Sequence, residues 1–526
     1  MSDVSLPLGR AGLTARPVTL RMLPPLWVAA PALFALACWA GWSIPLNNDV
    51  SWQYWIARQI RGGAILYRDI IEVNPPLWFW EAVPLSALAD RLHVDAGHLA
   101  IVSVMARAAL ALILIAKLVA DPSPRRLALL LPGLALLLCL LPLHDFGERE
   151  HLMLIGALPY AALVARRRDT ARLVSPRLAL CVGLFAAYGF AMKPYFALVP
   201  LALELWLAVG LRRSWRPLRP ESAALAATAI VYGGAVLLFA PDYLRLTVPL
   251  ARAAYGAFSP PFSSLFWQIW VPTWLLAGLA LAVARRYLPA DAQAAIVTAL
   301  ASALSYFLQG KGFPYHALPV TATLGWALWL VLVQGRSVAG AMIRRPFVTV
   351  ALILVAVTGY VIGPFTPIRA GKASTALEHL PAGSTVAVVS AHSWFAFPLV
   401  ESHRFIWPMR NIALWTIPKI ARDGDGAQAS AAGLSVRRQT LDMIAIDLWC
   451  HPPDAILVDD PARSPALTGT HFSYEAFLRS DPRIGSLLSH YRPSASDRST
   501  TVYRRTGRIA QQGIGCRTIS VRPDFS

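Results

Sequence analysis

Apolar blocks long enough to cross a bilayer recur along most of the chain and limit what it can become. They fall at about 25–45, 97–119, 127–143, 152–165, 178–192, 194–211, 222–240, 265–284, 292–309, 316–334 and 346–365. A helix spans the hydrocarbon core with about 20 apolar residues, so the pattern predicts a polytopic α-helical membrane protein with about eleven crossings. The residue usage agrees, with 56% hydrophobic residues, 15% charged residues and a mean hydropathy of +0.51. An ordinary soluble domain is excluded by those values.

A net charge of +19 would suggest nucleic acid as the partner of a soluble chain. Here the basic residues sit in short runs between apolar blocks, where they orient helices, and no nucleic-acid partner is expected. The runs are Arg125 and Arg126; Arg166, Arg167, Arg168, Arg172 and Arg177; Arg212, Arg213, Arg216 and Arg219; Arg285 and Arg286; and Arg336, Arg344 and Arg345. With Arg10, Arg16 and Arg21 they mark one side of the membrane, the cytoplasmic one. The alternate loops mix both signs, and an odd number of crossings places the chain after about residue 366 on the outer side. No cleavable signal is expected, because the first apolar block is too long for an h-region and no small-residue cleavage site follows it.

The expected organisation is therefore a cytoplasmic N-terminus at 1–24, a transmembrane domain at 25–365 and an outer domain at 366–526. The outer domain reads as α/β, because "STVAVVS" (384–390) and "DAILVDD" (454–460) are short β-branched runs bounded by turn residues. Cys450 and Cys516 both fall in it and are candidates for a disulfide, which spacing alone leaves open.

Residues 46–96 form a long first outer loop. Trp52, Trp55, Ile56 and Ile60 recur at helical spacing with Arg58 and Arg61 between them, which predicts a helix lying along the membrane surface. A second such helix, carrying Trp78, Phe79 and Trp80, is expected to start at "NPP" with Asn74 as cap and Pro75 in its first turn. Asp49 then sits at the start of the first helix. The local sequence alone favours a structural reading of it, since a carboxylate at a helix N-terminus is stabilised by the helix dipole.

A wider pattern shifts that balance. Asp49, Ala57, Gly62, Tyr67, Glu72, Pro75, Pro76 and Leu77 reproduce the order Asp, "A…G…Y…e…PPL". This resembles the first outer loop of the GT-C superfamily of membrane glycosyltransferases, in the branch of protein O-mannosyltransferases and aminoarabinose-to-lipid-A transferases. "GFAMKPYFALVPLALELWL" (189–207) and "KGFPYHALPV" (311–320) are similar to two later motifs of that branch. The chain departs from the pattern in having one carboxylate in "NNDVS", Pro194 after Lys193, and His316 after Tyr315.

The resemblance implies an inverting transfer of a sugar from a polyprenyl-phosphate carrier to an envelope glycan, lipid or protein. It implies a multi-pass protein of the bacterial inner membrane, in contact with membrane lipids, with a periplasmic C-terminal domain. Such a reaction needs a base on the acceptor hydroxyl, and Asp49 is the candidate. Glu150 matches an assisting carboxylate in the second outer loop. Lys193, Lys311 and Arg149 are candidate cations for the carrier phosphate, Tyr315 and His316 candidate ligands of phosphate or sugar, and Tyr67 and Glu72 belong to the first-loop motif.

Each residue also has a plainer reading. Lys193 at a hairpin turn can snorkel to water, and Phe313 and Tyr315 suit an aromatic belt. "HDFGEREH" (144–151) can be a polar turn pairing its own charges. That cluster has ligands for a divalent cation, yet its spacing is no recognised metal motif, so no metal site is assigned and no cofactor is required. "HSWF" (392–395) and "HRFIWP" (403–408) read as core or as a sugar-facing surface. A lipid-linked sugar transporter and a non-catalytic envelope scaffold are the competing classes; no internal repeat of the transporter kind is found.

Overall fold

The computed structural model describes residues 24–43, 46–119, 123–169, 174–334, 346, 348–357, 377, 379–393, 396–424, 430–496, 500–509 and 516. Arg10, Arg16, Arg21, Arg172, Arg336, Arg344, Arg345, the boundary near residue 366, Trp394 and Phe395 lie outside the described residues.

The helical part runs α1 (Pro24–Ser43), α2 (Asn48–Arg61), α3 (Leu77–Leu92), α4 (Ala96–Leu118), α5 (Pro124–Ala135), α6 (Arg149–Arg168) and α7 (Pro176–Phe190). It continues with α8 (Leu198–Leu211), α9 (Pro220–Phe239), α10 (Val248–Ala254), α11 (Phe262–Phe266), α12 (Trp270–Val283), α13 (Ala290–Gln309) and α14 (Pro314–Gln334). Among the described residues, the five segments Ala96–Leu118, Pro194–Ser214, Pro220–Phe239, Ala290–Gln309 and Pro314–Val333 are long and apolar enough to cross a membrane. Shorter apolar helices occupy Val28–Ala40, Arg126–Leu140, Pro176–Phe190, Trp270–Val283 and Val348–Val357. Leu201, Leu205 and Val209 of α8 and Ile230, Val231, Leu237 and Leu238 of α9 are exposed. Side chains of that kind suit lipid and not water. The chain is a polytopic membrane protein.

Helix α6 is different. It carries Arg149, Glu150 and His151 in its first turn and three arginines in its last, yet it is buried over most of its length. It packs against α4, α7, α8, α13 and α14, which screen it from lipid. A helix enclosed in this way can hold charges where its ends meet other loops.

The two ends of the bundle differ in chemistry. At one end the basic loops interlock: Arg167 pairs with Glu221 at 3.0 Å, Arg219 with Glu221 at 2.9 Å and with Glu204, and Arg126 lies 3.9 Å from Asp291. The mixed-charge loops and the C-terminal domain occupy the other end. Among the described residues, Arg126, Arg167 and Arg219 thus lie at the end of α6 opposite the first outer loop and the α/β domain.

The C-terminal domain holds a four-stranded sheet in the order β1-β2-β4-β3, with β1 (Val386–Val389), β2 (Ala455–Asp459), β3 (Tyr491–Ser496) and β4 (Thr500–Arg505). β1 and β2 are parallel, joined through helices that include Ala431–Cys450; β4 is antiparallel to both β2 and β3. The two β-branched runs of the sequence form β1, at the sheet edge, and β2, inside it, and both are almost wholly buried. A disulfide joins Cys450 to Cys516, with Cα atoms 5.5 Å apart.

The first loop departs from expectation in two ways. The aromatic face of α2 does not turn to lipid: Trp52, Trp55 and Ile56 are buried, and both indoles meet Phe397 of the C-terminal domain edge-on. Amphipathic spacing fixes which face is covered and is silent on whether lipid or protein covers it. The second helix starts at Leu77 with Pro76, not Asn74, before it. Asn74 is held back by Glu72, which accepts from both its backbone N–H at 2.9 Å and its side-chain amide at 2.7 Å.

The C-terminal domain is fastened to this loop. Arg58 pairs with Glu401, and the Ile71 N–H donates to the Arg410 carbonyl at 2.9 Å. Asp49 therefore lies at the junction of bundle and α/β domain.

Candidate functional site

The structural reading of Asp49 can be tested on its own hydrogen bonds. Asn47, not Asp49, caps α2: its side-chain oxygen accepts from the Val50 N–H at 2.8 Å. Asp49 Oδ2 instead accepts from Arg149 Nη2 at 2.8 Å, and Oδ1 from Asn48 Nδ2 at 2.6 Å. The carboxylate is thus fixed by two side-chain donors while 23% of its side chain stays exposed. A fixed, reachable carboxylate is what a positioned base requires.

Arg149 is delivered by the turn before α6. Gly147 takes φ +86°, Glu148 precedes the helix in extended conformation, and three charged side chains follow one another into the interior. Arg149 lies with its guanidinium 4.3 Å from the Trp78 ring centre and 3.3 Å from Glu148 Oε2. Glu148 accepts from Asn47 Nδ2 at 2.7 Å. Burial, then the nearby Asp49 carboxylate, push Glu148 up to about 8.

Glu150 faces the other way and receives Lys193 at 2.6 Å. Close approach of α7 to α6 brings that lysine in: a Cβ on Gly156 would lie 3.2 Å from Ala186 Cα, and one on Gly189 would lie 3.0 Å from the Leu152 carbonyl oxygen. Pro194 then keeps Lys193 extended, as the residue before a proline tends to be. Lys193 also reaches Gln309 Oε1 at 3.3 Å and His316 Nε2 at 3.4 Å, and lies 5.2 Å from the Tyr315 ring centre. Two buried atoms of this cluster, Glu150 Oε2 and His316 Nδ1, have no hydrogen-bond partner among the described residues.

Lys311 stands on a neighbouring wall. Its ammonium donates to the Tyr255 carbonyl at 2.5 Å and to Ser259 Oγ at 3.0 Å, and lies 3.9 Å from the Tyr255 ring centre. Among the described residues no carboxylate pairs with it, unlike Arg149 and Lys193. Burial, then the charge of Arg422, lower it to about 8. Tyr255 feels the charges of Asp49 and Arg149, and its ring meets Trp415 of the C-terminal domain edge-on.

Tyr67 and Glu72 make their hydrogen bonds within the first loop, although the charge of Arg149 acts on Glu72. Tyr67 is fully buried at φ +72°, with its hydroxyl on the Asn74 carbonyl at 2.7 Å. Glu72 is buried and accepts from Trp52 Nε1 at 2.8 Å as well as from Asn74, and burial raises it above the usual carboxylate range. The hydrogen bonds of both, expected from the resemblance to bind substrate, serve to hold the first loop in shape. "HDFGEREH" is likewise dispersed: His151 accepts from the Gly147 N–H at 3.0 Å and lies 2.7 Å from the Leu138 carbonyl, while His144 lies 3.8 Å from Asp145. Among the described residues no group of three or more His, Cys, Asp or Glu is placed to hold a metal. Trp407 is core, 2% exposed.

Asn48 and Tyr255 are site residues that the sequence motifs did not single out, and Glu148 was read only as part of the charged turn "HDFGEREH". Asn48 and Glu148 adjoin Asp49 and Arg149, so adjacency was the available signal. Tyr255 lies in a stretch with no motif and arrives by the path of the chain between α9 and α12.

No protein-family model matches the chain, and no curated protein matches it. Among solved structures the fold is similar to ArnT from Cupriavidus metallidurans bound to undecaprenyl phosphate, at 13% identity, covering 91% of this chain and 97% of that one with a TM-score of 0.49. The same protein in the apo state gives 14% identity over 91% and 97%, with a TM-score of 0.41. The archaeal oligosaccharyltransferase AglB from Archaeoglobus fulgidus, in complex with an inhibitory peptide and a dolichol-phosphate, gives 10% identity over 88% and 72%, with a TM-score of 0.38. At TM-scores below 0.5 these likenesses decide nothing about the chemistry, which rests on the side chains above.

Proposed function

We propose that this chain is an inverting glycosyltransferase of the GT-C type, moving a sugar from a polyprenyl-phosphate carrier to an envelope acceptor. The observation that carries the reading is Asp49: a carboxylate relieved of capping by Asn47, held by Arg149 and Asn48, and open at the junction of membrane bundle and α/β domain. Three separate motifs of the sequence, around Asp49, Lys193 and Tyr315, meet there.

Asp49 takes the proton of the acceptor hydroxyl as its oxygen attacks the anomeric carbon. Positive charge developing on the sugar is stabilised by the same carboxylate, as in glycoside hydrolysis. The bond to the carrier phosphate breaks, and the phosphate leaves with both bonding electrons and needs cations, not an acid. Lys311 is the best placed of them, because its present partners are a carbonyl and a hydroxyl that leave its charge unpaired. Arg149 and Lys193 contribute less, being already engaged by carboxylates. Glu150 acts as the counter-ion that holds Lys193 in place.

Orientation follows from the loops. Basic residues resist translocation, so the Arg167–Arg219 end is assigned to the cytoplasm and the α/β domain to the periplasm of a bacterial inner membrane. The Cys450–Cys516 disulfide suits an oxidising compartment. The test is binding of undecaprenyl phosphate to the purified protein in nanodiscs, read by thermal unfolding. The expected result is a rise in Tm with undecaprenyl phosphate that undecaprenol does not produce and that Lys311→Ala diminishes. Equal shifts with both lipids, or none with either, would remove phosphate recognition from the account.

A further inference from the structure

The membrane bundle supplies the carboxylate and the cations of the site, but the hydrogen-bond chain that holds Asp49 does not end in the bundle. Asn48 Nδ2 lies 2.6 Å from Asp49 Oδ1 and also 2.6 Å from Ser393 Oγ, which belongs to the loop leaving β1 of the α/β domain. A side-chain amide has two N–H bonds to give. One is committed to the candidate base, the other to the domain above it.

The three residues before Ser393 are tied to the α/β domain by hydrogen bonds. Ser390 Oγ donates to Asp459 Oδ2 at 2.8 Å and accepts from the His392 N–H at 3.0 Å, while the Ala391 N–H donates to the Tyr474 hydroxyl at 2.8 Å. His392 Nε2 is 2.8 Å from Ser464 Oγ, and its ring rests edge-on against Phe258 of the bundle. Burial lowers that imidazole to about 4, so it stays neutral and its ring nitrogens keep fixed hydrogen-bonding roles at neutral pH. The strands β1 and β2 end here, at their carboxyl edge, where side chains of an open α/β sheet are set for function. A fixed partner of this kind is what a base needs to keep its orientation to within a few tenths of an ångström.

We infer that Ser393 of the α/β domain is a positioning residue for the transfer reaction, acting through Asn48 to orient the carboxylate of Asp49. The C-terminal domain is then part of the catalytic apparatus: its seating on the first loop, through Arg58 to Glu401 and Phe397 against Trp52, sets the base. The inference rests on the reading of Asp49 as the base.

The test uses the full chain in nanodiscs. The donor is the polyprenyl-phosphate sugar pool extracted from a deletion strain, the acceptor that strain's envelope, and donor consumption is followed by mass spectrometry. Ser393→Ala should lower kcat about 10- to 100-fold, the range expected when a reacting group is displaced by about 1 Å. Its donor KM should stay within about twofold of wild type, because the phosphate cations are untouched. Ser393→Thr, which keeps the hydroxyl, should restore most of kcat, and Asn48→Ala should lower kcat with no further loss in the Asn48→Ala/Ser393→Ala pair. Wild-type kcat in Ser393→Ala, a loss carried by KM, additive losses in the pair, or failure of Ser393→Thr to restore would each overturn the inference. An active Asp49→Asn enzyme in the same assay would instead bring down the functional reading itself, so the two failures are told apart.

Discussion

Removing Lys193 without removing Glu150 should destabilise the protein far more than removing both charges. The two groups are 2.6 Å apart, and their side chains are 7% and 1% exposed. Lys193→Met keeps the length of the side chain and deletes the charge, leaving Glu150 with a second oxygen that has no partner in the wild type either. Breaking a buried pair from one side costs about 3–5 kcal/mol, mostly the penalty of the abandoned charge, whereas replacing both members can be nearly neutral. At roughly 2 °C per kcal/mol for a large chain, the single variant should lose on the order of 5–10 °C in Tm. The Lys193→Met/Glu150→Gln pair should recover to within about 1 kcal/mol of wild type. The assay is thermal unfolding in nanodiscs, followed by intrinsic fluorescence. A Lys193→Met protein as stable as wild type would refute the buried pair, and a double variant no better than the single would refute its electrostatic origin.

Lys311 gives a dependence on pH. Burial, then the charge of Arg422, lower its ammonium to about 8, so Lys311 is cationic below that value and neutral above it. The donor KM should therefore rise as pH passes through about 8 in the wild type and stay level to pH 9 in Lys311→Arg, which initial rates across pH 6–9 would check. The disulfide closes a loop with a sequence separation of 66 residues. On the chain-entropy account its removal by Cys450→Ser/Cys516→Ser should cost about 4 kcal/mol, measurable as lowered Tm and faster proteolysis of the α/β domain.

Much of this arrangement was legible because lipid and water leave strong marks on sequence. Apolar length gave the helices, and Arg166 to Arg168 and Arg212 to Arg219 marked one end of the bundle without reference to any fold. The site was legible where a charge had no business in an apolar surrounding: Asp49, Arg149, Glu150, Lys193 and Lys311 all stand in or beside helix ends. What the sequence hid was which neighbour answers each group. Glu72 carries the same motif signal as Asp49, yet its hydrogen bonds go to Trp52 and Asn74, and sequence does not distinguish a carboxylate turned inward from one left open. Trp52 and Trp55 were periodic as an interfacial helix would be, and the α/β domain took the place assigned to lipid. Tyr255 was out of reach, since it enters the site from a segment with no motif, and Ser393 lay in "HSWF" (392–395), whose rings drew attention while its hydroxyl did not.

Complementation of a deletion strain by Asp49→Asn, expressed at the wild-type level and followed by mass spectrometry of envelope glycans, decides whether Asp49 is the base. Loss of a positioned base costs about 10²- to 10⁴-fold in rate. The account predicts that one defined sugar is missing from the deletion strain, returns with the wild-type protein and stays missing with Asp49→Asn. A full glycan profile restored by Asp49→Asn would contradict it, leaving Asp49 as an ion-pair partner of Arg149 and the chain without its proposed chemistry.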